Sequence, residues 1–437
     1  MVYINFTLFN FLYQDELLST FSRYANDFEY TPDGIFRRSM PPFCSGCGAK
    51  MTYNGYNTYT KKGLGSVKIG RYFCPQCGKS LEEDRSFWED LKKDFLGVMN
   101  QIYQRMRALG ISYQGISSIL ELIFPQGKDT IYRAFNDTVD STEIPQVEDI
   151  HIVHYDEQHP KKGRTQKYRL TLLDGISTKV IAEELLDEKD PETIKGFLGR
   201  HLDPNKRTFI VTDLYSSYPG VFEEFFGDNL VHQLCLLHLN KLIVQDFPKK
   251  PTIEQLQTMY QLLNIFYNRE QELEVLEAMV RKEQEKKPGN AKEYNAWLTK
   301  ARSVFRAFVY ELKLKRRRGK RNLEQRPYLE AMEIFKGLMD EIDSFDTKVQ
   351  KRLRKIEKNW DRFTAFYFVQ GAPATNNPIE NYYSTSLKTH RKRQFRSNEG
   401  IENQMKLSRM KQAGMLEGCK RTLLEVFSRF RPFLAPG

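Results

Sequence analysis

Apolar and polar positions change rhythm several times along the chain, and each change marks a predicted element. From Ser86 to about Val139 apolar residues recur at three-to-four spacing, the period of helices with one buried face. The polar stretch STEIPQVED then reads as a linker. Four short strand-like runs follow: IHIVHYD, KYRLTLLD, TKVIAEEL and RTFIVTD. The second and third are joined by DGIS, whose Asp174-Gly175 pair suits a hairpin turn. A helix-like DPETIKGFLGRHL precedes the fourth run, and NLVHQLCLLH reads as a fifth strand running into a helix. Strands that first meander and then alternate with helices predict a mixed sheet in an α/β domain. From about Pro251 to Arg362 the strand signals stop, and helix-prone segments such as TIEQLQTMYQLLNIFYN predict an all-helical block. A shorter helix, about Asp15 to Phe28, is expected near the N-terminus.

Composition narrows the class. The 437 residues are enough for about three domains at roughly 100–200 residues each. At 40% hydrophobic and 13% aromatic residues they can bury substantial cores. Lys and Arg total 67 against 56 Asp and Glu, a formal charge of +11, which suits a polyanionic partner such as nucleic acid. No apolar run approaches membrane-spanning length, and the apolar N-terminus lacks the features of a signal peptide. The expected setting is therefore intracellular, with no membrane partner.

Three sets of residues carry candidate chemistry. Cys44 and Cys47 in CSGC, with Cys74 and Cys77 in CPQC, form two tight pairs followed by Gly48 and Gly78. Two such knuckles complete a closed tetrahedral Zn²⁺ site, and short strands between them predict a zinc ribbon. That site is structural, because a closed four-thiolate set leaves no open position for chemistry. GISYQGISSILELIFPQGKDTIYRAFND predicts a helix from Tyr113 to Leu122, a turn at FPQG and a helix from Lys128. This is the layout of a helix-turn-helix, with Lys128, Tyr132 and Arg133 as exposed readers of bases or phosphates. A plain helical hairpin fits the same pattern.

The third set is acidic. Asp156 ends one strand-like run and Asp213 another, so adjacent strands would bring both to the carboxyl edge of the sheet, where ligands bind. A close carboxylate pair repels unless a hard cation such as Mg²⁺ lies between. Glu380, in APATNNPIENYY, is the candidate third acid. Local chemistry also gives Glu380 a capping role, with Asn377 as N-cap, Pro378 at the first helical position and Glu380 at N3. Glu157 is a rival ligand that strand alternation points to the opposite face.

HYDEQ, VTDLYSSYPGVF, VHQLCLLHLNK and TNNPIENYYSTSLKTHRKRQFRS occur in that order. Together they resemble the DDE transposases of insertion sequences, and more narrowly those with a Cys-x-x-His motif after the second acid, as in the Mutator-like group. The resemblance covers roughly residues 150–400. It implies an RNase H-like core in which Asp156, Asp213 and Glu380 bind Mg²⁺ or Mn²⁺. It further implies Cys235 and His238 as the Cys-x-x-His pair, Asn376 and Asn377 as the paired asparagines, and a helical insertion between the second and third acids.

The expected fold is accordingly an RNase H-like mixed sheet interrupted by an all-helical insertion and preceded by a zinc ribbon and a helix-turn-helix. Its expected divisions are a helical lead (1–40), the ribbon (41–85), the helix-turn-helix (86–145), the first part of the core (146–250), the insertion (251–365), and the rest of the core with a basic tail (366–437). Lys388, Arg391, Lys392 and Arg393 in that tail are expected to contact DNA phosphate, as is the cluster KLKRRRGKR at 313–321.

The implied partners are double-stranded DNA, both terminal inverted repeats and target, and a second copy of the chain in a synaptic dimer or larger assembly. The implied setting is the nucleoid-associated cytoplasm of a prokaryote. The implied activity is metal-dependent cleavage and strand transfer. A transposase-derived DNA-binding protein, or a nuclease without strand transfer, is the alternative that fits the same motifs.

Overall fold

The computed structural model describes residues 28–31, 33, 35–61, 65–85, 99–121, 126–160, 167–285, 289–319, 323–387 and 397–416. The chain divides into two compact units, 1–145 with 395–437, and 146–394.

In the first unit, β3 (Thr52–Lys61) alternates exposed and partly buried positions from Thr52 to Thr60, as a strand with one covered face must. They pair antiparallel with β4 (Gly65–Phe73). The register shifts between Tyr53 and Tyr56, where Gly55 adopts φ +75°, a left-handed conformation that glycine tolerates best. β4 also takes β2 (Ile35–Arg38) in parallel and β5 (Ser80–Glu82) antiparallel, while β1 (Phe28–Tyr30) pairs with β2. The expected N-terminal helix lies outside the described residues except at Phe28, which opens β1 instead.

Helices follow this sheet: α1 over 99–109, α2 at Tyr113–Leu120 and α3 at Lys128–Ser141. The side chain of Ser112 caps α2 by accepting the Gly115 N–H. Ile116 and Leu120 of α2 meet Ile131 of α3, Tyr103 of α1, and Phe36 and Ile69 of the sheet in one buried cluster. Phe135 and Val139 of α3 pack against Leu407 and Met410 of helix Asn398–Gln412. That helix, in the stretch expected to complete the catalytic core (366–437), instead shares the first unit's core.

The second unit is built on a five-stranded mixed sheet in the order β10-β9-β6-β7-β8. β6 (Ile152–Gln158), β7 (Tyr168–Asp174) and β8 (Val180–Leu186) form an antiparallel meander. β9 (Thr208–Thr212) and β10 (Leu230–Leu234) extend it in parallel on the other side of β6. TFIVT in β9 is buried at every position, as expected of a parallel strand covered on both faces. Asp174 ends β7 in the turn foreseen for it, its Oδ2 accepting both the N–H and the hydroxyl of Ser177.

On one face, Val153, Tyr155, Leu170, Leu172 and Ile210 pack against α4 (Pro191–His201) and α5 (Tyr218–Phe226). On the other face, Ile152, Phe209, Val211 and Leu234 join Leu239 and Ile243 of α6 (Leu236–Asp246). The same cluster takes in Leu262 of α7 (Ile253–Leu263). Between α7 and the next shared contacts run α8 (Glu270–Glu285) and α9 (Ala291–Arg318), which share a separate small core with α7 around Ile253, Leu276, Leu298 and Phe305. Phe335 of α10 (Tyr328–Asp340), Leu353 of α11 (Thr347–Lys358) and Phe363 of α12 (Trp360–Thr364) return the chain to the sheet face. Last, α13 (Asn377–Ser386) lays Ile379, Tyr382 and Tyr383 over Leu173 and Val180. The observed class is mixed α/β with a helical block between β10 and α13.

Candidate active site

Register decides where the first two acids meet. β6 pairs with β9 as Ile152 with Phe209, Val153 with Ile210 and His154 with Val211. Asp156 lies inside β6, two residues before its end, rather than closing the strand as expected, and Asp213 directly follows β9. Extending the register by two places past His154 and Val211 brings the two level, on chains roughly 4.8 Å apart. Equal parity puts both side chains on the same face of the sheet. Both residues are half-buried, and Asp213 Oδ1 accepts the Tyr215 N–H at 2.9 Å.

The third acid arrives on a helix held by one buried side chain. Asn376, fully buried, donates from Nδ2 to the Tyr155 carbonyl at 2.9 Å. Its Oδ1 sits 2.8 Å from His154 Nδ1. An amide oxygen only accepts, so His154 carries its proton on Nδ1. The Asn376 backbone N–H points at Cys235 Sγ, 3.1 Å away, and the Cys235 N–H in turn donates to the Thr212 carbonyl at 2.9 Å. One asparagine therefore ties the start of α13 both to β6, beside Asp156, and to the end of β9, beside Asp213.

This wiring corrects the local expectation for Glu380. Asn376, not Asn377, is the N-cap of α13, and its side chain makes no capping bond because β6 uses it. Glu380 falls one place beyond N3 and its carboxylate turns to α6. There Oε1 lies 3.2 Å from Lys241 Nζ and 3.5 Å from His238 Nε2. No reciprocal capping box exists at this helix. Asn377 is exposed.

The electrostatics register the convergence. Burial, and next to it the charge of Asp213, push the Asp156 carboxyl well above the ordinary carboxylate range, with Glu157 and Glu380 adding to the effect. A carboxyl crowded by three others has the chemistry of a hard-cation site. Among the described residues, however, only the four cysteines bring three or more ligand atoms within 4.8 Å of one another. The three acids share a neighbourhood, while Glu380 is engaged with Lys241. Glu157 points away from the pair as alternation foretold: Tyr155 donates to its Oε1 at 3.0 Å and Tyr218 hydrogen-bonds its Oε2. Burial lowers the basicity of His238, and the nearby Lys241 cation lowers it further.

The cysteine centre has the predicted form. Cys44 Sγ lies 3.4 Å from Cys77 Sγ and Cys47 Sγ 3.4 Å from Cys74 Sγ, with no disulfide. The knuckles are copies of one turn: Gly48 and Gly78 both take φ +73°, donating to the carbonyls of Cys44 and Cys74. The Gly46 N–H aimed at its sulfur draws the Cys44 thiol down to about 6. Four convergent sulfurs fit Zn²⁺.

The remaining expected contacts are placed unevenly. Lys128 and Arg133 are exposed on α3, whereas Tyr132 is half-buried and donates its hydroxyl to Glu399 at 2.8 Å. In the cluster at 313–321, Lys313, Lys315, Arg317 and Arg318 are exposed, but Arg316 reaches the buried Glu272 at 3.2 Å. Lys388, Arg391, Lys392 and Arg393 lie outside the described residues. No helix among the described residues is long and apolar enough to cross a membrane.

Sequence reasoning passed over Lys241, Lys189 and the ion pair of Arg169 with Glu183. The signal for Arg169 was a charged residue inside an otherwise apolar strand run. Lys241 offered none, since its partner is far away in sequence.

No protein-family model matches the chain. A curated protein of Methanobrevibacter smithii, described as an insertion element ISM1 uncharacterized 48.3 kDa protein, is 22% identical over 374 residues, covering 82% of this chain and 80% of its own length. The chain is thus similar, over most of its length, to a protein of an insertion element.

Proposed function

We propose that this chain is the transposase of an insertion element, with an RNase H-like core that cuts element-end DNA and joins it to a target. The single observation that carries the reading is the strand register that sets Asp156 beside Asp213, with Glu380 close enough to act on the Asp156 carboxyl. The sheet order supports it: three antiparallel strands and two parallel additions, with the first acid on the central strand and the second directly after its parallel neighbour, are what an RNase H-like core would require. So does the similarity to an insertion-element protein.

In this reading Asp156, Asp213 and Glu380 hold Mg²⁺ or Mn²⁺. When bound, such cations activate the attacking oxygen and stabilise the leaving one. Glu380 exchanges its contact with Lys241 for that set, and Lys241, freed at the edge of the site, takes a DNA phosphate. Asn376 holds α13 against β6 and β9 so that the exchange needs a side-chain rotation rather than a helix movement. The zinc ribbon and the α2–α3 hairpin, with Lys128 and Arg133 outward, bind the element ends.

The test is cleavage and strand transfer on DNA carrying the repeats that flank the gene. Asp156→Ala, Asp213→Ala and Glu380→Ala should each lower both by about three orders of magnitude, the scale on which single catalytic groups act, and leave end binding intact. Undiminished strand transfer in any one variant removes that residue from the set. Cutting without joined products favours the nuclease alternative.

A further inference from the structure

Beside the acid pair lies a small cavity that the three-acid reading leaves unused. It measures about 120 Å³, and its lining includes the acids Asp156, Glu157 and Asp213 together with Tyr168, Lys189 and Tyr215. That is well below the roughly 300–1,000 Å³ of a site for a drug-sized ligand and suits a single planar ring. The rest of its lining is largely aromatic, with one cation. Lys189 Nζ lies 4.9 Å from the ring centre of Tyr215 and 5.6 Å from that of Tyr168. His159 tilts over Tyr168 at 4.9 Å, and Tyr215 leans on Tyr218 at 5.1 Å in an edge contact that leaves it 43% exposed. Glu157, which also lines the cavity, is tied down by hydrogen bonds from the hydroxyls of Tyr155 and Tyr218, and the Lys189 cation lies near enough to offset part of its charge.

An exposed ring with a cation over it, next to the acids, is the chemistry that holds an unstacked base and its phosphate. We propose that this cavity receives one unpaired nucleotide next to the cut bond, its base stacked on Tyr215 and its phosphate paired with Lys189. The inference rests on the proposed cutting of DNA at Asp156 and Asp213 and adds what they require of the substrate: a locally opened strand end, since a base kept in the duplex stack cannot reach the ring.

Binding of a forked DNA with a single-stranded oligothymidine arm, read by fluorescence anisotropy in Ca²⁺ with the full-length zinc-loaded protein, tests it. Tyr215→Ala should weaken binding by roughly tenfold, the scale of one base–aromatic stack, while Tyr215→Phe binds like the parent. Replacing the arm's thymidines one at a time with abasic residues should find one position at which parent and Tyr215→Ala bind alike. Lys189→Gln, which leaves the rings in place, should weaken binding at every arm sequence and flatten its salt dependence. Equal binding by parent and Tyr215→Ala, or a loss that no abasic position cancels, overturns the assignment. Cutting in Mg²⁺ is scored on the same preparations. Cutting by the parent with no Tyr215 effect sinks the cavity alone, and a base-dependent Tyr215 effect without cutting sinks the catalytic reading alone.

Discussion

At the scale of the residue, the paired asparagines divide their work sharply. Asn376 is buried with its amide nitrogen and oxygen both bonded inside the fold, and Asn377 beside it is exposed. Asn376→Ala strands the Tyr155 carbonyl and His154 Nδ1 in a buried place, at a cost of about 1–3 kcal/mol for the unpaired groups. Asn377→Ala should change stability by no more than about 0.5 kcal/mol, as surface substitutions do. Thermal melts check both. Because Asn376 also sets where Glu380 stands, its variant should need more Mg²⁺ for half-maximal cutting, a shift that lost stability alone does not produce. The site was half legible here. Asp156 and Asp213 each close an apolar run in the sequence, which singles them out as candidates, but the partner of Asn376 is a backbone carbonyl more than two hundred residues away. Local sequence therefore assigned the N-cap to the wrong asparagine and Glu380 to a capping box.

At the scale of the element, α13 is seated on a buried cation. Arg169 is fully buried in β7, where its guanidinium pairs with Glu183 of β8 and reaches Gln158 at 3.1 Å and Ser386 of α13 at 2.8 Å. Tyr382 and Tyr383 lie within 5.0 Å of it by ring centre, and Tyr383 donates to the Asp156 carbonyl at 2.7 Å. Arg169→Met should cost roughly 3–5 kcal/mol, since it leaves Glu183 buried without its partner. The double variant with Glu183→Leu should recover much of that loss, because well-packed apolar groups often replace a buried pair without penalty. Urea denaturation of the single and double variants measures the difference, and a double variant no better than the single one would refute it. Strands β6 to β10 were foreseen because their apolar runs are short and bounded by turn residues. This pair was not, since a charge within a strand run has no local reading until its partner strand is known.

At the scale of the whole molecule, each unit carries its own hydrophobic clusters, and only the first carries the cysteine centre. The cysteine pairs and the helical hairpin were legible because both are local: their spacing alone sets the geometry. Phe36 and Ile69 anchor one part of this sheet on the helices, but the core at the knuckles, Met51 and Tyr72 with Cys44 and Cys74, is too slight to hold the cysteine end unaided. Structural zinc in small domains supplies on the order of 10–16 kcal/mol of apparent folding free energy, so the ribbon's order should depend on the metal while the five-stranded sheet's should not. Chelation at neutral pH should therefore release one zinc per chain and expose β3 and β4 to limited proteolysis. It should abolish end binding and leave the melting of the mixed-sheet unit unchanged in calorimetry. If that unit melted together with the ribbon on chelation, the two cores would be one cooperative system, and the assignment of end binding to the first unit and chemistry to the second would lose its physical basis.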